Sequence, residues 1–222
     1  MTPAPVRRPG VIAIFGGMFD PPHWGHIRAA EAVRDRMGVE AVWLMPARVP
    51  PHREAPELGP EERLTLVRAA VRGRERLVAS GFELERPGPS FTVDSLDRLA
   101  AARPAPRPPE ASLLFVTGTD AFREIRTWSR YEELLERHPA LVVPRVGCPL
   151  VEALAALPAR FSGRVTADLE APLLPPIIFT MDILLPEPAS ADLRRRLRAG
   201  QPVREDLPPP VFERIESLGA YR

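Results

Sequence analysis

The chain alternates short apolar runs with longer segments in which apolar residues recur at helical spacing. The apolar runs predict strands over residues 11–15, 40–45, 77–85, 112–117, 141–144, 165–170 and 176–183. The amphipathic segments predict helices over residues 26–37, 60–72, 92–100, 121–128, 131–137, 150–159, 191–199 and 209–218. Strands that alternate with helices in this way predict an α/β fold, a doubly wound, Rossmann-like parallel sheet with helices on both faces.

The first sign of chemistry lies in residues 11–37. An apolar strand leads into a Gly16-Gly17 turn, a loop that carries His23 and His26, and the start of a helix. Glycines let the backbone approach a ligand, and a helix N-terminus presents unpaired N–H groups, so this unit predicts an anion site. Ligands of such sheets lie at the carboxyl ends of the strands, where Gly16-Gly17, Pro46 and residues 118–120 should converge.

The two histidines have two chemical interpretations, besides that of ordinary surface residues. The first is half of a metal site, but the sequence offers no neighbouring Cys, third His or partnered carboxylate to complete it. The second is phosphate contact, because imidazole N–H groups at a helix N-terminus can neutralise charge on a phosphoryl group during transfer. We therefore assign no metal ligands and predict a phosphate site.

Length and composition indicate the domain organisation, the cellular location and the kinds of partner. We expect residues 1–222 to form one domain, with a small helical subregion at about residues 186–222. No stretch resembles a signal peptide, and no apolar run approaches the roughly 20 residues that a bilayer requires. The single Cys148 excludes an intramolecular disulfide and fits a reducing cytosol, so we predict a cytoplasmic protein. A net charge of +1 indicates neither a nucleic-acid nor a membrane partner, and homo-oligomerisation stays open.

Several motifs resemble those of one enzyme family. The stretch GGMFDPPHWGH resembles the G-G-x-F-D-P-x-H-x-G-H signature of the nucleotidylyltransferase superfamily. Further stretches are similar to motifs of bacterial nicotinate-nucleotide adenylyltransferase, namely PPHR at 50–53, SFTVDSL at 90–96, FVTGTDAF and TW within 115–128, and the closing LPPPVFERIESLGAYR. The resemblance covers nearly the whole chain and is weakest over residues 151–188.

The resemblance implies transfer of AMP from ATP, with Mg²⁺, to nicotinate mononucleotide. The products would be pyrophosphate and nicotinate adenine dinucleotide (deamido-NAD), an intermediate of NAD biosynthesis. In that family the mononucleotide phosphate attacks the α-phosphorus of ATP directly, without a covalent enzyme intermediate or a general base. The sequence agrees, because it offers no Ser-His-Asp or Cys-His arrangement, and catalysis would consist of alignment and charge stabilisation.

The resemblance also implies roles for single residues, of which His23, His26 and Arg194 would be catalytic. The implied ATP-binding set is Gly16, Gly17, Met18, Phe19, His23, His26, Gly118, Asp120, Ser190 and Arg194. The implied nicotinate mononucleotide set is His52, Arg53, Thr92, Trp128 and Ser129. Thr92 would bind the nicotinate carboxylate at a helix N-terminus, and Trp128 would stack on the pyridine ring. Without the resemblance, Trp128 reads as a packing aromatic and Asp120 as a helix cap.

Two positions depart from the family pattern. Met18 replaces the usual Thr or Ser, and the I-S-S-T-x-x-R run appears as PASADLR at residues 188–194, which keeps Ser190 and Arg194. The following helix can still donate backbone N–H groups to a phosphate. Two alternatives therefore stay open: a related nucleotidylyltransferase whose acceptor is nicotinamide mononucleotide or phosphopantetheine, and a nucleotide-binding regulator without catalysis.

Overall fold

Strands and helices alternate along the chain, as the sequence predicts. The computed structural model describes residues 7–48, 55–85, 88–103, 111–183 and 189–222. The strands in these ranges are β1 (Arg8–Gly17), β2 (Val39–Pro46), β3 (Leu77–Ala79), β4 (Leu113–Gly118), β5 (Ala140–Val143), β6 (Val165–Thr166) and β7 (Ile178–Thr180). The helices are α1 (Trp24–Met37), α2 (Pro60–Val71), α3 (Thr92–Ala101), α4 (Thr119–Phe122), α5 (Tyr131–Arg137), α6 (Leu150–Ala155), α7 (Ala159–Ser162), α8 (Ser190–Arg198) and α9 (Pro209–Leu218).

The strands form one parallel sheet in the order β3-β2-β1-β4-β5-β7-β6. The chain moves from β1 outward to β2 and β3, and then returns to place β4 on the other side of β1. The strand order therefore reverses between β1 and β4, which creates a crevice at their carboxyl ends. The predicted doubly wound, Rossmann-like sheet is confirmed.

Helices cover both faces of the sheet, because alternate residues of each strand point to opposite sides. In β1, Val11, Ala13 and Phe15 pack into one buried cluster, whereas Ile12 and Ile14 pack into the other. Helices α1, α2, α8 and α9 complete the first cluster, and α3 to α7 complete the second. The C-terminal helices therefore share the core of the sheet. Within the described residues, no helix is both long and apolar enough to cross a membrane.

Several predicted elements differ from the structure. The helix predicted over residues 150–159 ends at Ala155, and the strands predicted over residues 165–170 and 176–183 are the shorter β6 and β7. The predicted strand over residues 77–85 ends at Ala79, and Phe82–Glu85 forms a 3₁₀ helix. β3 pairs with β2 alone, so few ladder hydrogen bonds hold it extended, and the chain turns at Gly81 to bury Leu84. The predicted helix over residues 121–128 is instead α4 followed by a 3₁₀ helix at Ile125–Thr127.

The start of α3 has no side-chain cap. Neither Ser90 nor Thr92 caps this helix, because Phe91 is the N-cap residue and no side chain bonds its first N–H groups. The Ser90 hydroxyl instead accepts a hydrogen bond from the Arg48 backbone N–H at 3.1 Å. Gly219 ends α9 in the left-handed conformation, with a φ of 61°.

Candidate active site

A cleft of about 880 Å³ lies at the carboxyl ends of β1, β2 and β4. Thirteen of the fifteen residues implicated by the sequence line it, and they come from five separate segments of the chain: Gly16, Gly17, Met18, Phe19, His23, His26, Thr92, Gly118, Asp120, Trp128, Ser129, Ser190 and Arg194. The other two, His52 and Arg53, lie outside the described residues. The fold thus brings the predicted site residues together, while the ligand that each one contacts stays a prediction.

The glycine loop is supported from below by Phe19. A Cβ atom at Gly17 would lie 3.1 Å from the Phe19 ring, so this close approach favours glycine. Phe19 is buried and has a φ of 50°, and its ring meets the rings of Phe15 and His26 edge-on, at 6.0 and 5.0 Å between centroids. In the structure Phe19 therefore has a packing role, which holds His26 in place, and its contact with ATP stays a prediction.

The two histidines cap the first turn of α1 reciprocally. The Gly25 N–H donates to His23 Nδ1 at 3.2 Å, and the His23 N–H donates to His26 Nδ1 at 3.3 Å. This arrangement is a capping box in which imidazoles replace the usual Ser and Glu side chains. The two rings are in contact, tilted by 42° with 3.9 Å between centroids. The spacing His23-x-x-His26 is therefore structural as well as chemical.

The capping geometry determines where each imidazole carries its proton. Burial, followed by the charge of Arg145, lowers the pKa of His23 to about 3. Burial, His23 and Arg145 lower the pKa of His26 well below its usual range. Both rings are therefore neutral at pH 7, and each Nδ1 accepts a backbone N–H, so the proton resides on Nε2. Each histidine offers one Nε2–H donor from the cleft wall.

The backbone of α1 contributes less to an anion site than the sequence predicts. The Trp24 N–H donates to the Asp206 carbonyl at 3.0 Å, and the Gly25 N–H is taken by His23. The prediction of unpaired N–H groups at this helix end is wrong for these two residues, because the protein's own groups already bond them. The imidazole Nε2–H groups are the donors that remain on this element.

Ser190 and Arg194 lie one turn apart at the start of α8 and hold the histidine loop. The Ser190 hydroxyl donates to the Pro21 carbonyl at 3.1 Å, and Arg194 Nη1 donates to the Asp20 carbonyl at 2.7 Å. Arg194 Nε also donates to Glu57 at 2.8 Å, and Arg198 bonds the same carboxylate. The guanidinium is therefore oriented before any ligand arrives, with donors left over for a phosphate.

The opposite wall of the cleft contains Thr92, Trp128 and Ser129. Thr92 is the first residue of α3, and the first N–H groups of a helix have no partner within it. The Trp128 ring packs edge-on against Phe115 with 5.7 Å between centroids and stays partly exposed to the cleft. Glu83 lies beside them, where burial raises the pKa of its carboxyl group and Ser95 donates to it at 2.8 Å.

Gly118 and Asp120 meet Arg145 where β4 ends. A Cβ atom at Gly118 would lie 2.5 Å from Asp120 Oδ1 and 3.0 Å from Arg145 Cγ, so a larger residue there would displace these side chains. The Thr119 hydroxyl accepts the Arg145 N–H and donates to the Cys148 carbonyl, which ties the segment after β5 to the end of β4. This brings the charge of Arg145 close to both histidines.

Sequence reasoning missed Arg145, Arg63 and the role of Asp20. Arg145 could have been found, because it follows a strand that ends at the ligand edge of the sheet. Arg63 is fully buried and donates to the carbonyls of Met18, Ala47, Arg48 and Leu58. No local signal reveals it, since the sequence shows merely one more Arg in an amphipathic helix.

A resident metal centre has no support from the donor set. Within residues 7–48, 55–85, 88–103, 111–183 and 189–222, no three His, Cys, Asp or Glu side chains are grouped so that they could hold a metal ion. His23 and His26 also turn their Nδ1 atoms toward backbone N–H groups. The geometry of the pair thus fits hydrogen-bond donation to an anion.

Comparison with known proteins assigns the class. Residues 14–191 match the family model described as cytidylyltransferase-like. A protein of Halorhodospira halophila named "Probable nicotinate-nucleotide adenylyltransferase" is 39% identical over 95% of this chain and 94% of its own. A protein of the same name from Symbiobacterium thermophilum is 39% identical with the same coverage of both chains.

A solved structure agrees on the fold. The Plasmodium falciparum nicotinic acid mononucleotide adenylyltransferase, complexed with NaAD, superposes with a TM-score of 0.70 over 95% of this chain and 96% of that one, at 16% identity. The chain therefore belongs to the cytidylyltransferase-like family and, within it, to the nicotinate-nucleotide adenylyltransferases. The resemblance found in the motifs is confirmed.

Proposed function

We propose that the protein transfers AMP from ATP to nicotinate mononucleotide, forming deamido-NAD and pyrophosphate in the biosynthesis of NAD. The observation that carries this proposal is that one cleft joins a wall of phosphate donors to a wall suited to a pyridine carboxylate. His23, His26 and Arg194 form the first wall, and Thr92 and Trp128 belong to the second. The membership of the chain in the family of nicotinate-nucleotide adenylyltransferases supports the same reaction.

Charge stabilisation accounts for the catalysis. The mononucleotide phosphate attacks the α-phosphorus of ATP, the new P–O bond forms, and the bond to pyrophosphate breaks. Negative charge shifts toward the leaving pyrophosphate, where the Nε2–H groups of His23 and His26 and the guanidinium of Arg194 can donate to it. These donors are preoriented by the capping box and by Glu57, so they need no reorganisation during the reaction. The nucleophile is already an anion, and no base is required.

Selectivity for nicotinate mononucleotide over nicotinamide mononucleotide would depend on the cleft wall at the start of α3. The first N–H groups of α3 are donors, and the helix dipole favours a carboxylate near them. A carboxylate accepts hydrogen bonds at both oxygens, whereas the amide of nicotinamide mononucleotide brings an NH₂ group that requires an acceptor. Trp128 would stack on the pyridine ring beside this site.

Mg²⁺ enters this proposal as part of the ATP substrate, in which it binds phosphate oxygens and lowers the charge that the protein must neutralise. The partners are therefore small molecules, and no step requires a nucleic acid or a membrane. We place the reaction in the cytoplasm, in keeping with the single cysteine.

The experiment that tests this function measures pyrophosphate release from Mg·ATP with three acceptors. Nicotinate mononucleotide should support turnover, and nicotinamide mononucleotide should support it with a lower kcat/KM. Phosphopantetheine should be inert. Turnover with phosphopantetheine alone would assign a different member of the family, and ATP binding without pyrophosphate release from any acceptor would indicate a regulator.

A further inference from the structure

The last part of the chain reaches the centre of the histidine loop. Tyr221 is the second-to-last residue, and its hydroxyl donates to Asp20 Oδ1 at 2.6 Å across 201 positions of sequence. Both residues are buried, with 5% and 1% of their surfaces exposed. Tyr221 also has a φ of 62°, an unfavourable conformation for an aromatic residue. This conformation lets the ring pack into the hydrophobic core while the hydroxyl reaches the buried Asp20 carboxylate.

Asp20 connects the segments that carry the proposed phosphate donors. Its Oδ2 accepts the Glu57 N–H at 2.8 Å, and its backbone carbonyl accepts Arg194 Nη1 at 2.7 Å. Glu57 in turn bonds Arg194 Nε. The histidine loop, the segment before α2, the start of α8 and the segment after α9 therefore meet at one residue, Asp20.

The Tyr221 hydroxyl and the Arg194 guanidinium both bond Asp20, at its carboxylate and at its backbone carbonyl respectively. Burial and the neighbouring Asp20 carboxylate raise the pKa of Tyr221 far above its usual range, so its hydroxyl stays protonated and donates. Arg194 Nη1 lies 3.8 Å from Asp20 Oδ2, beyond a hydrogen bond. Without the Tyr221 donor, Asp20 Oδ1 keeps a long hydrogen bond from the Leu58 N–H at 3.4 Å, and the Arg194 guanidinium is close enough to turn toward this buried carboxylate and supply a second one.

We propose that Tyr221 is a positioning residue for AMP transfer: by bonding Asp20 it keeps Arg194 and the histidine loop where the ATP phosphates require them. This inference rests on the proposed function, since it assigns ATP to this wall of the cleft. It predicts that the loss of one hydroxyl group, close to the chain terminus, weakens the ATP half of the site and spares the nicotinate half.

The test is the Tyr221→Phe variant, which keeps the ring and removes the hydroxyl. The control is Tyr131→Phe, because the chain has two tyrosines and the Tyr131 hydroxyl bonds Glu132 at 3.1 Å outside the cleft. We expect Tyr221→Phe to lower kcat at least tenfold and to raise the KM for ATP, with the KM for nicotinate mononucleotide within twofold of wild type. Tyr131→Phe should stay within twofold in all three constants.

A second variant examines the same bond from the other side. Asp20→Asn should reproduce the ATP-specific defect, and the double variant should be no worse than the more damaged single variant, because both changes break one network. Additive effects would overturn the proposal. So would wild-type kinetics of Tyr221→Phe, or an equal rise in KM for both substrates, which would indicate general loosening of the fold.

Calorimetry separates failure of this inference from failure of the proposed function. If wild type binds Mg·ATP but turns over no acceptor, the proposed function fails. The positioning role is then read from the Kd for Mg·ATP, which should rise at least fivefold in Tyr221→Phe and stay unchanged in Tyr131→Phe. An unchanged Kd in Tyr221→Phe would overturn the inference in that case.

Discussion

His23 both caps α1 and offers an Nε2–H donor to the cleft, and two substitutions of this residue can separate the two functions. In His23→Asn the new Oδ1 atom occupies the position of Nδ1 and can still accept the Gly25 N–H. The ring Nε2–H is lost. In His23→Ala both functions are lost. Asparagine is among the best N-cap residues and alanine among the worst, so the two variants differ in helix capping and agree in lacking the donor.

The expected magnitudes follow from these contacts. Loss of an N-cap lowers the free energy of unfolding by about 1 kcal/mol, so His23→Ala should be less stable than His23→Asn by about that amount. Loss of one preorganised donor to a developing anion lowers kcat by about 10²–10³, and both variants should show it. Urea unfolding measures the first quantity, and pyrophosphate release at saturating substrates measures the second.

His138→Asn is the matched control for the change of residue type. His138 bonds Asp97 through Nε2 at 2.9 Å, outside the cleft, so this variant should be less stable and keep its kcat. The reasoning is refuted if His23→Asn retains kcat within threefold of wild type, because the Nε2–H would then have no role. Equal stability of His23→Asn and His23→Ala would refute the capping interpretation.

Three further predictions concern Trp128 in the cleft wall, the buried guanidinium of Arg63 and the pH dependence of stability. Trp128→Ala should raise the KM for nicotinate mononucleotide about tenfold, the loss expected for one aromatic contact of about 1.4 kcal/mol, and leave the KM for ATP within twofold. Arg63→Met should lower the free energy of unfolding by at least about 3 kcal/mol in urea, since four carbonyls lose their donor, whereas the exposed Arg72→Met should change it by less than about 0.5 kcal/mol. The folded-state pKa values of His23 and His26 lie below the unfolded value of 6.5, so the unfolded chain binds more protons as pH falls. The contribution of each histidine to the free energy of unfolding should therefore be fully present above pH 6.5 and decline by about 2 kcal/mol toward pH 5. The decline should be smaller in His23→Asn. A wild-type free energy of unfolding that stays constant over this range would contradict the neutral state of the two rings.

Those parts of the fold that depend on local pattern could be predicted from the sequence. Residues 11–15 of β1 and residues 113–116 of β4 are apolar because both faces of these strands are buried there, and that pattern is visible without the structure. The extent of β3 could not be predicted, since an edge strand of three residues is held by one neighbour and by tertiary packing of Leu84. The break between α4 and the following 3₁₀ helix lacks a Gly or Pro signal.

The site, like the fold, has parts that could be predicted from local sequence and parts that could not. The residues of the histidine motif lie together in one short stretch of sequence, and so do those of the α3 motif, so both sets could be predicted. The fold brings the two motifs into one cleft. The contact between Asp20 and Tyr221 spans almost the whole chain, and the bonds of Arg63 reach carbonyls of two distant segments, the glycine loop and the segment after β2. Such pairings depend on tertiary structure, and a single sequence carries no sign of them.

The proposed reaction is tested most directly by its stoichiometry. Wild-type protein is mixed with Mg·ATP and nicotinate mononucleotide, and the products are identified by mass spectrometry and counted. We expect one deamido-NAD and one pyrophosphate for each ATP consumed, and no adenylated protein when the mononucleotide is omitted. Consumption of ATP without the dinucleotide, or no consumption at all with either pyridine mononucleotide, would contradict the proposed reaction.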